Sequence, residues 1–163
     1  MNPTLILAAS LLLAAPLAAA AAPAAEASAV TPAAWPPVHV GEDGLALSGY
    51  DAVAYFTEGG PRLGDAAHTL EWNGAIWRFA SAANLAAFRA NPEAYAPRFG
   101  GYCAWAASQG YIAPGDPAVW RIVDGSLYLN FNARAQMLWE QDIPGAIARG
   151  QANWPRILTV NQG

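Results

Sequence analysis

Cys103 is the single cysteine of this 163-residue chain, set within FGGYCAWAASQG at 99–110, and His39 and His68 are its two histidines. A thiolate and an imidazole together suit copper or zinc. A thiol beside an imidazole base is also the starting point of nucleophilic catalysis. The third reading is the plain one, because a free cysteine commonly fills a core as a small apolar side chain. Spacing bears on the choice. No Cys-x-x-Cys or His-x-x-x-His occurs, and Met137 is the only thioether beyond the leader. His39 stands beside an Ala/Pro-rich lead-in, so Cys103 with His68 is the candidate metal pair, holding a copper or zinc ion. There is neither a resolving cysteine nor an evident base for the thiol, so the expectation is a protein that is not an enzyme.

Two further groups invite a chemical reading. Tyr50, Asp51 and Tyr55 form a polar-aromatic cluster, in which Asp51 is expected to accept from turn amides rather than to move protons. Gly100-Gly101 has neither a preceding apolar strand nor a Lys-Ser/Thr pair, so it is a tight turn or close backbone approach and not a phosphate loop.

These residues need elements to hold them. Leu45–Leu47 and YDAVAYF at 50–56 have strand composition. HTLEWNGAIWRFA at 68–80 has Asn73-Gly74 between aromatic runs, the pattern of a two-residue hairpin turn. That turn predicts Trp72 opposite Ala75, Leu70 opposite Trp77 and His68 opposite Phe79 on one face, with Glu71 and Arg78 diagonal on the other. Ser81 is placed to cap a helix bearing Leu85 and Phe88, stopped at Pro92. A short helix over 104–109 ends at Gly110. Asp124-Gly125 predicts a second hairpin with Trp120, Ile122, Leu127 and Leu129 on one face. Asn132 caps a helix over 133–141, and Ile143, Ile147 and Trp154 belong to a last one. Short antiparallel hairpins with packed helices make an α+β domain, and no internal repeat is evident.

The N-terminus reads as a secretory leader: an apolar run from Leu5 to Leu13, a break at Pro16, then small residues around Ala18–Ala22. The organisation expected is therefore a signal peptide at 1–22, a flexible lead-in at 23–37, and one domain at 38–160. The mature protein would be periplasmic or secreted, with no membrane span. Eight Arg, no Lys and twelve acidic residues leave no basic stripe, which argues against nucleic acid. One cysteine excludes an intramolecular disulfide. Seven Trp, six Tyr and five Phe supply the core instead, and Trp35 and Trp154, near the ends, are the aromatic residues best placed for surface contact.

LSGYDAVAYFTEG, WNGAIWRFASAANLAAFRANPEAYAPRFGGYCAWAASQG and the final DGSLYLNFN…W…DIPG…NW, in that order, resemble the exported YHS-domain proteins of bacteria. The resemblance runs from about Leu45 to Trp154, with Ala52 in place of the family's usual proline. It implies a YHS-like α+β fold and a metal-binding or metal-handling role. The metal-type members carry cysteines after the first Asp-Pro-Val and in a Phe-Cys-Ser…Cys stretch, where this chain has Ala54 and Phe79-Ala80-Ser81…Asn84. The scaffold matches and those thiols do not. A metal would then fall to Cys103 and His68. The alternative is a non-catalytic module that binds a periplasmic protein partner or a ligand without metal.

Overall fold

Asn73 and Gly74 both have positive φ, 51° and 77°, and so do Asp124 and Gly125, 47° and 71°. These are the two central residues of a tight turn whose twist matches that of the strands it joins. Each turn closes a hairpin in the computed structural model, which describes residues 35–159. Strand β1 (Asp65–Trp72) pairs antiparallel with β2 (Ala75–Phe79), and β3 (Asp116–Val123) with β4 (Ser126–Asn130). The helices are α1 (Ala54–Thr57), α2 (Ala82–Ala90), α3 (Pro92–Tyr95), α4 (Ala104–Gln109), α5 (Ala133–Glu140) and α6 (Ile143–Thr159), and 3-10 turns cover Leu47–Gly49 and Arg98–Gly101. The fold is α+β, with two two-stranded antiparallel sheets. The leader and most of the lead-in lie outside the described residues.

Several expected elements are present. Ser81 Oγ accepts from Asn84 N at 3.1 Å and Asn132 Oδ1 from Ala135 N at 2.9 Å, so both helix caps form as their side chains allow. Gly110, left-handed at φ 89°, ends α4. Trp120 pairs with Leu129 and Ile122 with Leu127. Two segments expected as strands are not strands. Leu45 makes only an isolated bridge to Ile76, after which Leu47 and Ser48 turn left-handed, at φ 53° and 50°. Tyr50 bridges Leu63, and Ala54–Thr57 is helical because Asp51 feeds its carboxylate to the amides of that turn. Side-chain-to-backbone bonding overrode strand propensity there. The first hairpin also departs from simple alternation. A register shift between Asp65 and Thr69 puts Asp65, not His68, opposite Phe79. From Thr69 to the turn the register is the expected one: Thr69 stands opposite Arg78 and Glu71 opposite Ile76, so Glu71 and Arg78 are diagonal, and Arg78 joins none of the ion pairs among the described residues.

The expectation of no internal repeat is overturned. The segment from Leu47 to Ala90 and the segment from Phe99 to Glu140 are two copies of one structural unit. Each opens on a left-handed turn ending in Gly-Tyr, Leu47-Ser48-Gly49-Tyr50 and Phe99-Gly100-Gly101-Tyr102. Each tyrosine bridges a matching residue, Tyr50 to Leu63 and Tyr102 to Pro114. Asp51 N donates to Arg62 O at 2.8 Å, and Cys103 N to Ala113 O at 2.9 Å. A short helix follows, then a strand of 8 residues and a strand of 5. Both hairpins shift register in the same place, between Asp65 and Thr69 and between Asp116 and Trp120. In both, the leading Asp accepts from the amide two residues on, at 2.8 Å. A side-chain-capped helix closes each copy.

The packing repeats as well. Trp77 and Phe88 lie 4.9 Å apart between ring centres at 34°, and their counterparts Tyr128 and Trp139 lie 5.4 Å apart at 38°. Trp77, Phe88 and Trp139 are fully buried, and each removes a large apolar area from water. The first core gathers Val53, Tyr55, Trp77, Phe79 and Phe88 with Leu127 and Leu129 from the second hairpin. The second core gathers Phe99, Tyr128 and Trp139 against Ala146 and Ile157 of α6. Among the described residues no helix is long and apolar enough to cross a membrane.

Candidate functional site

The equivalent positions Asp51 and Cys103 hold their copies together by different chemistry. Asp51 is fully buried. Its Oδ1 accepts from Val53 N at 2.8 Å and Ala54 N at 3.3 Å, and its Oδ2 from Ala80 N at 2.8 Å and Asn84 Nδ2 at 2.7 Å. Four donors on one carboxylate tie α1 to the start of α2, which satisfies a buried charge by hydrogen bonding. The expectation that Asp51 serves turn amides holds, and it extends to a cross-link between elements.

Cys103 is 1% exposed and caps α4, with its Sγ 3.5 Å from Ala106 N and 3.6 Å from Asn130 Oδ1. Asn130 Oδ1 also accepts from Trp105 N at 3.0 Å. Thus Asn130 serves the amide that corresponds to Val53, and the thiol serves the one that corresponds to Ala54. The work of one carboxylate is divided between an amide and a thiol.

His68 lies half-buried on β1, which packs on β2 and α2. It shares no hydrogen bond or cavity with Cys103, whose neighbours come from α4, the segment that follows it, β4 and α5. Among the described residues no three His, Cys, Asp or Glu side chains converge as metal ligands. A tight copper or zinc site needs several such donors. The donors around Cys103 do not fit one, because the thiol is engaged with Asn130 and the Ala106 amide. His39 is the other imidazole. It stacks edge-on against Tyr102, with ring centres 5.1 Å apart, and burial holds its pKa below the ordinary histidine value.

Two cavities accompany these groups. The larger, about 570 Å³, is a groove between the first hairpin, the loop before α4 and α6. Its walls carry Trp72, Trp77, Phe99, Tyr128 and Trp154, with Arg98, Glu93 and Gln151 as polar groups. Gly100 closes one side, where a Cβ would overlap the Pro37 carbonyl, so the close approach expected of this glycine pair is real. Trp154, one of the two residues expected at the surface, is half-buried, packs on Phe99 and Tyr102, and faces this groove. The smaller cavity, about 340 Å³, lies over Cys103 and is bounded by Trp105, Tyr111, Phe131, Arg134 and Ala135. Burial, with the Cys103 thiol nearby, pushes the Tyr111 phenol pKa up.

Arg98, Asn130 and Arg134 were not singled out from the sequence, and Asn84 was noted only as standing in place of a family thiol. The usable signal was the recurrence of Gly-Tyr-x-Ala-x-Ala at 49–54 and 101–106. It marks equivalent positions and so brings Asp51 and Cys103 into comparison. Comparison of the chain with protein-family models, with curated proteins and with solved structures returned no match.

Proposed function

We propose that this chain is an exported, non-catalytic binding module that holds a ligand without a metal, in the aromatic groove between the two structural copies and α6. The observation that carries the reading is the groove itself. Its volume of about 570 Å³ is of the size that small-molecule sites occupy, and its walls combine the aromatic rings of Trp72, Trp77, Phe99, Tyr128 and Trp154 with the polar side chains of Asn73, Glu93, Arg98 and Gln151. Arg98 donates through Nε to Ser126 Oγ at 3.1 Å and enters no ion pair among the described residues. Its remaining N–H groups can orient an acidic or carbonyl group of an apolar ligand. The leader at 1–22 and the YHS resemblance support export. The departure from that family's thiol pattern, and the engaged state of Cys103, favour the metal-free reading over copper or zinc.

The test is a titration of the mature protein with 8-anilinonaphthalene-1-sulfonate, an aromatic anion, followed by dye fluorescence and by thermal unfolding. The native protein is expected to take up one equivalent and to unfold at higher temperature as the dye concentration rises. Trp154→Ala, checked for folding by circular dichroism, is expected to weaken the dye by about tenfold or more, since a stacking aromatic wall is lost. Absence of binding, or binding that lowers the unfolding temperature, would overturn the reading.

A further inference from the structure

We infer that the smaller cavity, over Cys103, is a second and separate site, built to take the carboxylate of a small apolar acid. The argument rests on the two copies. In the first copy the corresponding space is filled: the Asp51 carboxylate lies there and the Asn84 amide reaches it at 2.7 Å. In the second copy both fillers are replaced by smaller, less polar side chains, Cys103 for Asp51 and Ala135 for Asn84, and a cavity of about 340 Å³ is left. The donors of the first copy partly remain without their acceptor. Ala80 N donates to Asp51 Oδ2 at 2.8 Å, whereas the Phe131 N–H, its counterpart, has no carboxylate to meet and makes no hydrogen bond to the protein among the described residues. Behind the thiol, Asn130 is fully buried, and its Nδ2 has no hydrogen-bond partner. At the rim stands Arg134, which belongs to none of the ion pairs among the described residues. A buried amide without a partner and a backbone N–H without a protein acceptor, next to an exposed, unpaired guanidinium, favour an anion.

The other walls set the rest of the ligand. Trp105, Tyr111, Phe131 and Leu138 are apolar, and Trp105 and Tyr111 pack edge-on with ring centres 6.0 Å apart. The occupant is therefore an aromatic or aliphatic monocarboxylate, its acid group replacing what Asp51 supplies in the other copy. Cys103 floors the site and need not react.

Isothermal titration of the mature protein with 2-naphthoate, and with the neutral 2-naphthamide as control, tests this directly. The carboxylate is expected to bind at least about tenfold more tightly than the amide, and Arg134→Gln to weaken it by about tenfold. The decisive variant is Cys103→Asp combined with Ala135→Asn, which gives the second copy the side chains that close the first. It is expected to abolish naphthoate binding. Should that variant not fold, Ala135→Leu occupies the same space with an apolar side chain and carries the same expectation. Trp154→Ala, in the larger groove, is expected to leave unchanged the naphthoate binding that filling the smaller cavity abolishes, so failure of the groove reading and failure of this one are told apart. Equal affinity for acid and amide, no binding, or binding lost in Trp154→Ala but kept when the cavity is filled, overturns the assignment.

Discussion

Asp51 and Cys103 stand at the same point of the same structural unit, and the two copies differ most around them. The first copy is knotted there by a buried carboxylate with four donors. The second divides those duties between Asn130 and the thiol, at longer distances, and leaves a cavity beside them. The second copy has α6 in compensation. Asn153 of that helix donates to the carbonyls of Ala107 and Ser108 at 3.1 and 3.3 Å, which fastens the end of α4 from outside. A short helix can thus be held by a polar knot within or by a packed helix without, and only the second way leaves room for a ligand.

The comparison breaks most visibly if the two positions are truncated in turn. Asp51→Ala strands three backbone amides and the Asn84 side chain inside the protein, and a loss of about 3–5 kcal/mol is expected. Cys103→Ala removes a weak acceptor and a small apolar volume, and about 1 kcal/mol is expected, since the Asn130 bond to Trp105 N survives. Urea denaturation of both variants measures the difference. Equal losses would mean that the thiol carries its copy as the carboxylate carries the other, with no division of labour between thiol and Asn130.

Equivalence itself is sharpened by the paired glycines. A Cβ on Gly64 would fall 2.6 Å from the Arg78 Cβ, and one on Gly115 would fall 2.7 Å from the Leu129 Cβ, at matching places beside the second strand of each hairpin. Gly64→Ala and Gly115→Ala should each cost about 1–3 kcal/mol through overpacking. Thermal unfolding reads both. A neutral result at one site alone would show that the strands leave that turn different room in the two copies.

Much of this architecture is legible in residue types. The Asn73-Gly74 and Asp124-Gly125 turns, the Ser81 and Asn132 caps and the stop at Gly110 all act locally, so their chemistry is written beside them. The strand expected at 50–56 failed because Asp51 bonds both to the amides of its own turn and to groups far along the chain. Asp51 finds Ala80 and Asn84 some thirty positions away, and the resulting knot favours a helical turn over an extended one. The register of His68 failed because a bulge leaves no residue-type mark. The repeat was hidden because the equivalent residues exchange chemistry, Asp51 for Cys103 and Phe88 for Trp139, while the spacing slips from 52 positions at Asp51 and Cys103 to 51 at Asn73 and Asp124. The cavities were invisible for the same reason: each is an absence created by side chains distant in sequence.

The smallest expected effect concerns Tyr102, which differs from its counterpart Tyr50 in being covered by the lead-in. His39 stacks on its ring, His39 N donates to Gly100 O at 2.8 Å, and the Tyr102 hydroxyl donates to Pro36 O at 3.2 Å. Burial lowers the His39 pKa, so in the unfolded chain this imidazole binds its proton at a higher pH than in the folded one. As pH falls from about 6.5, the unfolded value, toward the depressed folded value, the unfolded state gains protons first and stability declines. Above about 6.5 both states are neutral and the contribution is complete. His39→Phe keeps the edge-on stack and removes the titration. Unfolding free energies measured from pH 7.5 down to pH 5 should therefore fall more steeply for the unaltered chain than for the variant. Parallel curves would mean that the strap over Tyr102 lets the imidazole reach water, and that this end of the second copy is as open as the first.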